Sequence, residues 1–134
     1  MGSRSIALEQ DQDIAVARNE VRQLAAALGF RSIDQTRLAT VTSELARNIV
    51  KYARRGRLIA QPTEDAVSGR TGLRLIFEDE GPGIKSLDKA MSDGFSTGRG
   101  LGKGLPGSRN LVHEFKIESE EGQGTRVTVV RWVN

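Results

Sequence analysis

The spacing of the apolar residues changes along this chain, and that change narrows the possible folds more than any other feature. Over residues 11–28 and 32–54 they recur every three or four positions, which is the spacing of one face of an α-helix. Gly29 ends the first helix, and Ser32 begins the second with Gln35 as its capping-box partner. The two apolar stripes are Ile14, Ala17, Val21, Leu24 and Leu28, then Leu38, Val41, Leu45, Ile49 and Tyr52. The sequence therefore predicts two consecutive amphipathic helices.

The rest of the chain is typical of short strands joined by turns. Strands are predicted over residues 3–9, 57–61, 73–80, 115–120 and 125–132, a short helix over 86–91, and a third helix from 104–106 to 112 or 113. A polar loop with Pro62 joins the second strand to the third, and Gly-Gln-Gly at 122–124 joins the last two. Hairpins beside consecutive helices predict an α+β two-layer sandwich, whose mixed, mostly antiparallel sheet carries the helices on one face.

Composition limits the size and setting of this fold. A chain of 134 residues fits one domain, so residues 1–134 are expected to share a single core. There is no cysteine, which excludes disulfides, a thiol nucleophile and thiolate metal ligands. No apolar run approaches the ~18 residues of a membrane span, and we expect a soluble cytoplasmic protein without a membrane partner.

Basic residues crowd together near the end of the second predicted helix, in a chain with a net charge of +3. They are Lys51, Arg54, Arg55 and Arg57. We interpret them as a solvated helix end, where cations favour the negative pole of the helix dipole. A phosphate-rich partner is the alternative. Because no aromatic residues are interleaved to stack bases, nucleic acid is not expected as a partner.

Two polar residues lie on one face of the second predicted helix. Glu44 and Asn48 are four positions apart, about 100° from the apolar stripe. An amide oxygen is a hard ligand that suits Mg²⁺, and a carboxylate beside it can accept the proton of an attacking hydroxyl. The spacing is common on helices, so a surface pair without a role is the alternative.

A second polar feature directly follows an apolar strand. In Asp79-Glu80-Gly81-Pro82-Gly83 the carboxylate of Asp79 would project from the strand end, where it can only accept hydrogen bonds and so suits an adenine amino group. Gly81 and Gly83 would let the backbone approach a flat ring that a Cβ would obstruct. A plain tight turn is the alternative.

A glycine-rich segment, residues 98–107, enters the third predicted helix. It lacks the Gly-Lys-Ser/Thr ending of a P-loop and the preceding parallel strand of a dinucleotide-binding turn. Its backbone N–H groups and the helix end could still wrap phosphates as a movable lid, with Arg99 and Lys103 supplying charge. A disordered loop is the alternative. The candidate nucleotide-binding residues are Gly98, Gly100, Leu101, Gly102, Lys103, Gly104 and Leu105.

Two further residues invite interpretation. Thr125 follows the last glycine turn and would place its hydroxyl near Asp79 if their strands are neighbours; a plain strand residue is the alternative. His113 is the only histidine. We interpret it as structural, because one imidazole cannot by itself build a metal site.

Taken in order, these motifs resemble the GHKL (Bergerat-fold) ATPase superfamily over residues 32–132. Within that superfamily the chain is similar to the RsbT-type serine/threonine kinases, the switch proteins of the stressosome. The matching segments are Ser-Glu-Leu-Ala-Arg-Asn-Ile at 43–49, Glu-Asp-Glu-Gly-Pro-Gly-Ile at 78–84, Asp-Gly-Phe-Ser-Thr at 93–97, Gly-Leu-Gly at 100–102 and Gly-Leu-Pro-Gly at 104–107.

The resemblance implies a role for each matching residue. Asn48 would hold Mg²⁺, and Glu44 would be the base that activates the substrate hydroxyl. Asp79 would bind the adenine amino group of ATP, with Gly83 and Thr125 lining the adenine pocket.

The phosphate end and the partners are also implied by the resemblance. Residues 100–104 would cap the phosphates; Lys103 departs from the family pattern, where this position is small or variable. A single kinase domain would transfer the γ-phosphate of ATP to STAS-domain scaffold or antagonist proteins, and on release would bind and activate a PP2C-type phosphatase in a stress or sigma-factor cascade. The alternative is an ATP-binding regulatory module of the anti-sigma RsbW type, which mainly captures partners. Glu44 favours catalysis, because a pure binder needs no base.

Overall fold

A computed structural model describes residues 2–53, 55–80, 107–120 and 124–134. The chain begins with β1 (Arg4–Leu8), α1 (Asp11–Leu28) and α2 (Ser32–Asn48), and α2 continues into a π-helical turn, Ile49–Ala53. The strands β2 (Gly56–Glu64), β3 (Thr71–Asp79), β4 (Glu114–Glu120) and β5 (Gly124–Trp132) follow. A short helical stretch at 107–110 precedes β4.

The described strands form one sheet in the order β1-β2-β3-β5-β4, and each neighbouring pair is antiparallel. β2 and β3 form one predicted hairpin, and β4 and β5 form the other. The return of β5 beside β3 places a late strand next to an early one, with Asp79 opposite Thr125. The predicted α+β two-layer class is confirmed.

The hydrophobic core lies between the sheet and the two helices. Alternate residues of the central strands are buried on the helix-facing side, because successive side chains of a strand point to opposite faces. Both predicted stripes face this core, with Leu28 only partly buried; Tyr52, the last residue of the second stripe, is half-buried and does not belong to the core. The fully buried large side chains are Leu8, Val21, Leu24, Leu38, Val41, Leu58, Leu73, Leu75, Phe77 and Val129. Burying each of these contributes about 1.5–3 kcal/mol, so aliphatic packing carries this aromatic-poor core.

The predicted capping box on α2 is wrong. Arg31, not Ser32, is the N-cap residue, and its side chain makes no capping hydrogen bond. The Gln35 amide instead donates to the Phe30 carbonyl at 2.9 Å. Ser32 is thus already helical, and Gln35 reaches past the N-cap to the preceding residue.

Two of the predicted boundaries also shift. The second strand does not stop before Pro62 but runs to Glu64, with Pro62 paired to Leu73. Proline is tolerated there because β1 pairs with β2 only as far as Ala60, which leaves that edge of β2 without a neighbour among the described residues. The third predicted helix ends at residue 110, and its start and the 86–91 helix lie outside the described residues.

A buried carboxylate joins α2 to β5. The Asp34 side chain is 1% exposed and accepts hydrogen bonds from Arg131 Nη2 at 2.7 Å and from Arg37 Nη1 at 2.9 Å. Arg131 also donates from Nη1 to the Leu111 carbonyl at 2.9 Å. Burial raises the pKa of Asp34, but the hydrogen bonds from Arg37 and Arg131 outweigh it and hold that pKa below its usual value.

The first prediction concerns the stability that Asp34 contributes. Asp34→Asn leaves the Arg131 guanidinium, on a side chain that is 11% exposed, without its counter-charge, so the free energy of unfolding should fall by about 3 kcal/mol at pH 7. Urea unfolding of this variant and of the exposed control Asp11→Asn measures the difference.

The contribution of Asp34 to stability depends on pH in a defined direction. Because the folded-state pKa of Asp34 is lowered, its contribution is complete above about pH 4 and is lost as the pH falls through the lowered value. The difference in the free energy of unfolding between wild type and Asp34→Asn should therefore become smaller on acidification. A gap that widens in acid would contradict the role of the ionised carboxylate.

Candidate nucleotide site

Four residues form one row across the end of the sheet. Gly56 pairs with Asp79, Asp79 with Thr125, and Thr125 with Ser119. Each lies two positions along its strand from a residue that faces the helices, so all four share that face. The corresponding core residues are Leu58, Phe77, Val127 and Ile117. The apolar face of the sheet thus ends in a polar row, which we call the base row.

Two glycines let the backbone crowd around Asp79. A Cβ on Gly56 would overlap the Glu78 carbonyl oxygen, and a Cβ on Gly124 would overlap the Asp79 carbonyl oxygen. Gly124 also has φ 101°, a left-handed conformation that favours glycine. Gly56 was missed from the sequence, although its place between Arg55 and the predicted strand from residue 57 was a visible signal.

The end of α2 abuts the base row. Ile49 follows Asn48 directly, and its Cγ2 would lie 2.8 Å from a Cβ on Gly56. The π turn packs against both β2 and β3. The structure therefore brings the Asn48 end of α2 to the end of the sheet that carries Asp79.

The two predicted site residues on α2 differ in their surroundings. Among the described residues, the Asn48 amide nitrogen is buried and has no hydrogen-bond partner. Glu44 is 43% exposed, and its Oε1 lies 3.4 Å from Arg47 Nη1. One side chain therefore has a buried amide nitrogen with unused hydrogen-bonding capacity, and the other is a carboxylate that solvent can reach.

The π turn begins immediately after Asn48. The Ile49 N–H is shared between the Ala46 and Leu45 carbonyls, three and four residues back, and the helix widens to π geometry only over Ile49–Ala53. Single π turns within α-helices are rare and often occur at functional sites. This widening was not predicted, because the apolar spacing there suits an ordinary helix equally well.

Open space borders Asp79 on two sides. A cleft of about 420 Å³ is lined by Asp79, Gly56 and Glu80 among others. A second cleft of about 350 Å³ is lined by Asp79, Thr125 and Ser119 among others. The strands of Asp79 and Thr125 are neighbours, as the sequence analysis required for their joint role. Ser119 was missed, because only the register of the last hairpin reveals it.

Several predicted site residues lie outside the described part of the structure. Their roles in the turn and the lid remain predictions. They are Gly81, Gly83, Gly98, Gly100, Leu101, Gly102, Lys103, Gly104 and Leu105.

The remaining sequence features have structural contacts. His113 Nδ1 accepts a hydrogen bond from the backbone N–H of Trp132 at 2.9 Å. Burial lowers the pKa of His113, and the positive charges of Arg131 and Arg70 lower it further. Arg57 does not belong to a helix end as interpreted: it lies in β2 and its Nε is 2.9 Å from Glu78 Oε1.

Residues 33–133 match the family described as histidine kinase-, DNA gyrase B- and HSP90-like ATPases, and the chain belongs to that family. The chain is also 46% identical over 121 residues to the serine/threonine-protein kinase RsbT of Bacillus subtilis, an alignment that covers 90% of each protein. The resemblance to RsbT-type kinases is thereby confirmed.

More distant relatives share the fold. The chain is 26% identical to an anti-sigma F factor of a Thermoanaerobacter species, over 94% of this chain and 90% of that one. The structure of the RsbU and RsbW domains of Rv1364c from Mycobacterium tuberculosis superposes with a TM-score of 0.68 at 19% identity, over 98% of this chain and 33% of that longer one. Among the described residues, no helix is both long and apolar enough to span a membrane.

Proposed function

We propose that this protein is a cytoplasmic serine/threonine-protein kinase that transfers the γ-phosphoryl group of ATP to STAS-domain scaffold or antagonist proteins. On release it would bind and activate a PP2C-type phosphatase. The observation that carries the proposal is the junction of the Asn48 end of α2 with the base row, through Ile49 and Gly56. This junction supports a site in which the candidate base Glu44 and the candidate metal ligand Asn48 act beside the candidate adenine-binding residue Asp79.

At the adenine end, Asp79 supplies the main recognition. Its ionised carboxylate accepts a hydrogen bond from the adenine amino group, a charge-assisted bond that is stronger than a neutral one. Gly56 and Gly124 keep side chains away from the backbone around it. The edge of the base is thereby held at the end of the core.

At the phosphate end, the residues fit a bound Mg²⁺. Asn48 offers a hard amide oxygen, and its amide nitrogen has no hydrogen-bond partner among the described residues. A magnesium ion held there would neutralise charge on the phosphates of ATP. Asn48 would orient that end of the nucleotide toward Glu44, one helical turn away.

Glu44 would act as the base for the transfer. The substrate hydroxyl oxygen bonds to the γ-phosphorus, the bond from that phosphorus to the β–γ bridging oxygen breaks, and ADP leaves. The hydroxyl proton passes to Glu44. Glu44 suits this role because it is 43% exposed and so can be reached by a residue of another protein.

The second prediction tests the adenine end. Asp79→Asn removes the charge-assisted bond to the amino group, so ATP affinity should fall by about 10- to 100-fold. Isothermal titration with ATP measures it. Asp11→Asn is the matched control, because it is the same chemical change at an exposed residue at the start of α1. Equal losses in the two variants would contradict the assignment.

The third prediction tests the metal ligand. Asn48→Ala should weaken Mg²⁺-dependent ATP binding by about tenfold or more, and change binding in EDTA little. Titrations of ATP with and without Mg²⁺ distinguish the metal-dependent part of the affinity from the metal-independent part. The exposed Asn19→Ala, on α1, serves as control. If the variant loses affinity equally in EDTA, Asn48 acts through packing instead.

The fourth prediction tests the base. Glu44→Gln keeps the shape of the side chain but cannot take a proton at neutral pH, so phosphoryl transfer should fall by about 10²- to 10⁴-fold with ATP affinity retained. The assay is transfer of ³²P from ATP to a STAS-domain partner. The exposed Glu114→Gln, on β4, should transfer normally. The absence of wild-type transfer to every such partner would remove the kinase assignment.

The likeness to anti-sigma F factors favours one alternative function, a regulatory module that acts by partner capture. The same variant separates the two functions. A module would keep its partner binding and signalling output in Glu44→Gln, whereas a kinase that acts by transfer would lose the output.

A further inference from the structure

His113 is bonded to β5 twice, once through its backbone and once through its imidazole ring. The backbone N–H of His113 donates to the Val130 carbonyl at 3.0 Å, and Nδ1 of the ring accepts from the backbone N–H of Trp132 at 2.9 Å. Val130 and Trp132 lie two positions apart at the end of β5. The residue that precedes β4 is therefore joined to β5 on both sides of Arg131.

The bond to the ring exists in only one protonation state of His113. A backbone N–H can only donate, so Nδ1 must offer a free lone pair, and the single hydrogen of the neutral imidazole lies on Nε2. In the charged imidazolium both ring nitrogens carry hydrogen and neither can accept. Protonation of His113 therefore removes the bond to Trp132 and leaves the backbone bond to Val130 chemically unchanged.

The ring bond helps to hold a short segment, residues 132–134, against β3. Trp132 is paired with Gly72, and a Cβ on Gly72 would overlap the indole ring, so that ring lies directly on the Gly72 backbone. The next residue, Val133, donates its backbone N–H to the Thr71 carbonyl at 2.8 Å. The bond from Trp132 to His113 lies at the point where this segment leaves the pairing of β4 with β5.

Arg131 limits how much of β5 depends on the ring bond. Its Nη2 lies 2.7 Å from the buried Asp34 carboxylate, and its Nη1 donates to the Leu111 carbonyl at 2.9 Å. Neither contact uses the His113 ring. Loss of the ring bond therefore affects the residues that follow Arg131, while the core part of β5 stays in place.

Charged groups on several of the described elements influence the protonation of His113. Partial burial lowers the pKa of His113, and the positive charges of Arg131 on β5 and Arg70 in the β2–β3 loop lower it further. The negative charges of Asp34 on α2 and Glu114 on β4 act in the opposite direction. The pKa of His113 lies below its ordinary value of 6.5, so the neutral ring that can accept a hydrogen bond predominates at neutral pH.

We propose that the bond between His113 and Trp132 is a pH-sensitive latch: the neutral ring holds residues 132–134 against β3, and protonation in mild acid releases them. Because the pKa of His113 is lower in the folded chain, the stabilisation from the latch is complete above about pH 6.5 and is lost as the pH falls through that lowered pKa. The latch depends on neither nucleotide nor a partner protein, so it stands or falls independently of the proposed kinase activity.

The experiment follows the His113 ring and the Trp132 backbone amide by NMR in the free protein, from about pH 8 to about pH 5. We expect the hydrogen-exchange protection factor of the Trp132 amide to fall by about tenfold, with the same midpoint as the titration of the His113 ring. The fluorescence of Trp132, the only tryptophan, should change with that midpoint as its ring leaves Gly72. Protection that stays constant, or that falls with a different midpoint, would overturn the latch.

Two replacements of His113 form a matched pair. His113→Asn offers an amide oxygen close to the place of Nδ1, and that oxygen accepts a hydrogen bond at every pH. His113→Phe keeps a ring but has no acceptor. The Trp132 amide should stay protected throughout the pH range in His113→Asn and be poorly protected throughout it in His113→Phe. A wild-type pH dependence that persists in His113→Asn would assign the change to another group and overturn the latch.

The neighbouring charges supply a further check that leaves His113 in place. Arg70→Gln removes a positive charge and should move the midpoint of Trp132 protection to higher pH, and Glu114→Gln removes a negative charge and should move it to lower pH. Circular dichroism shows that each variant is folded. Opposite shifts support the latch, whereas a midpoint that neither variant moves would show that His113 does not control the Trp132 amide and would overturn it.

Discussion

The two registers of β3 determine where the candidate site lies. Its pairing with β2 and with β5 buries Phe77 and Val127, and the same pairing places Asp79 opposite Thr125 two positions further on. Because side chains alternate along a strand, a slip of one residue would expose the core residues and turn the base row away from the helices. The hydrophobic core and the base site are therefore set by one constraint, and the stability of the core protects the geometry of the site.

The phosphate end depends on a different contact. α2 is a core helix, and the 4% exposed Ile49 at its end packs against the backbone of β2 at Gly56. That contact fixes how far the amide of Asn48 lies from the sheet. A side chain at position 56 would push the helix away, so an inconspicuous glycine links the two halves of the site.

The sequence was sufficient to predict those features of the fold that depend on local spacing. The helix faces, both hairpins and the stop at Gly29, which has φ 96°, follow from periodicity and turn chemistry. Features that depend on distant pairings could not be predicted. Asp34 and Arg131 are 97 positions apart, and nothing local marks either as half of a buried pair.

The same distinction applies within the site. Asp79 was found because a glycine turn follows it, and Glu44 and Asn48 because they share a helix face. Ser119 has no local mark, since its place in the base row comes only from being opposite Thr125. The roles of the lid residues, which lie outside the described part of the structure, rest on the glycine-rich pattern and on family resemblance.

Pro62 limits how strands of other molecules can pair with this protein. Beyond Ala60, the outer edge of β2 has no partner strand among the described residues. An exposed strand edge is a template on which a strand of another chain can pair and begin aggregation. Pro62 carries no N–H, so it interrupts the row of donors that a foreign strand would need. The residue that a sequence pattern assigns to a loop thus guards the open end of a strand, in a protein whose proposed work requires repeated contact with other proteins.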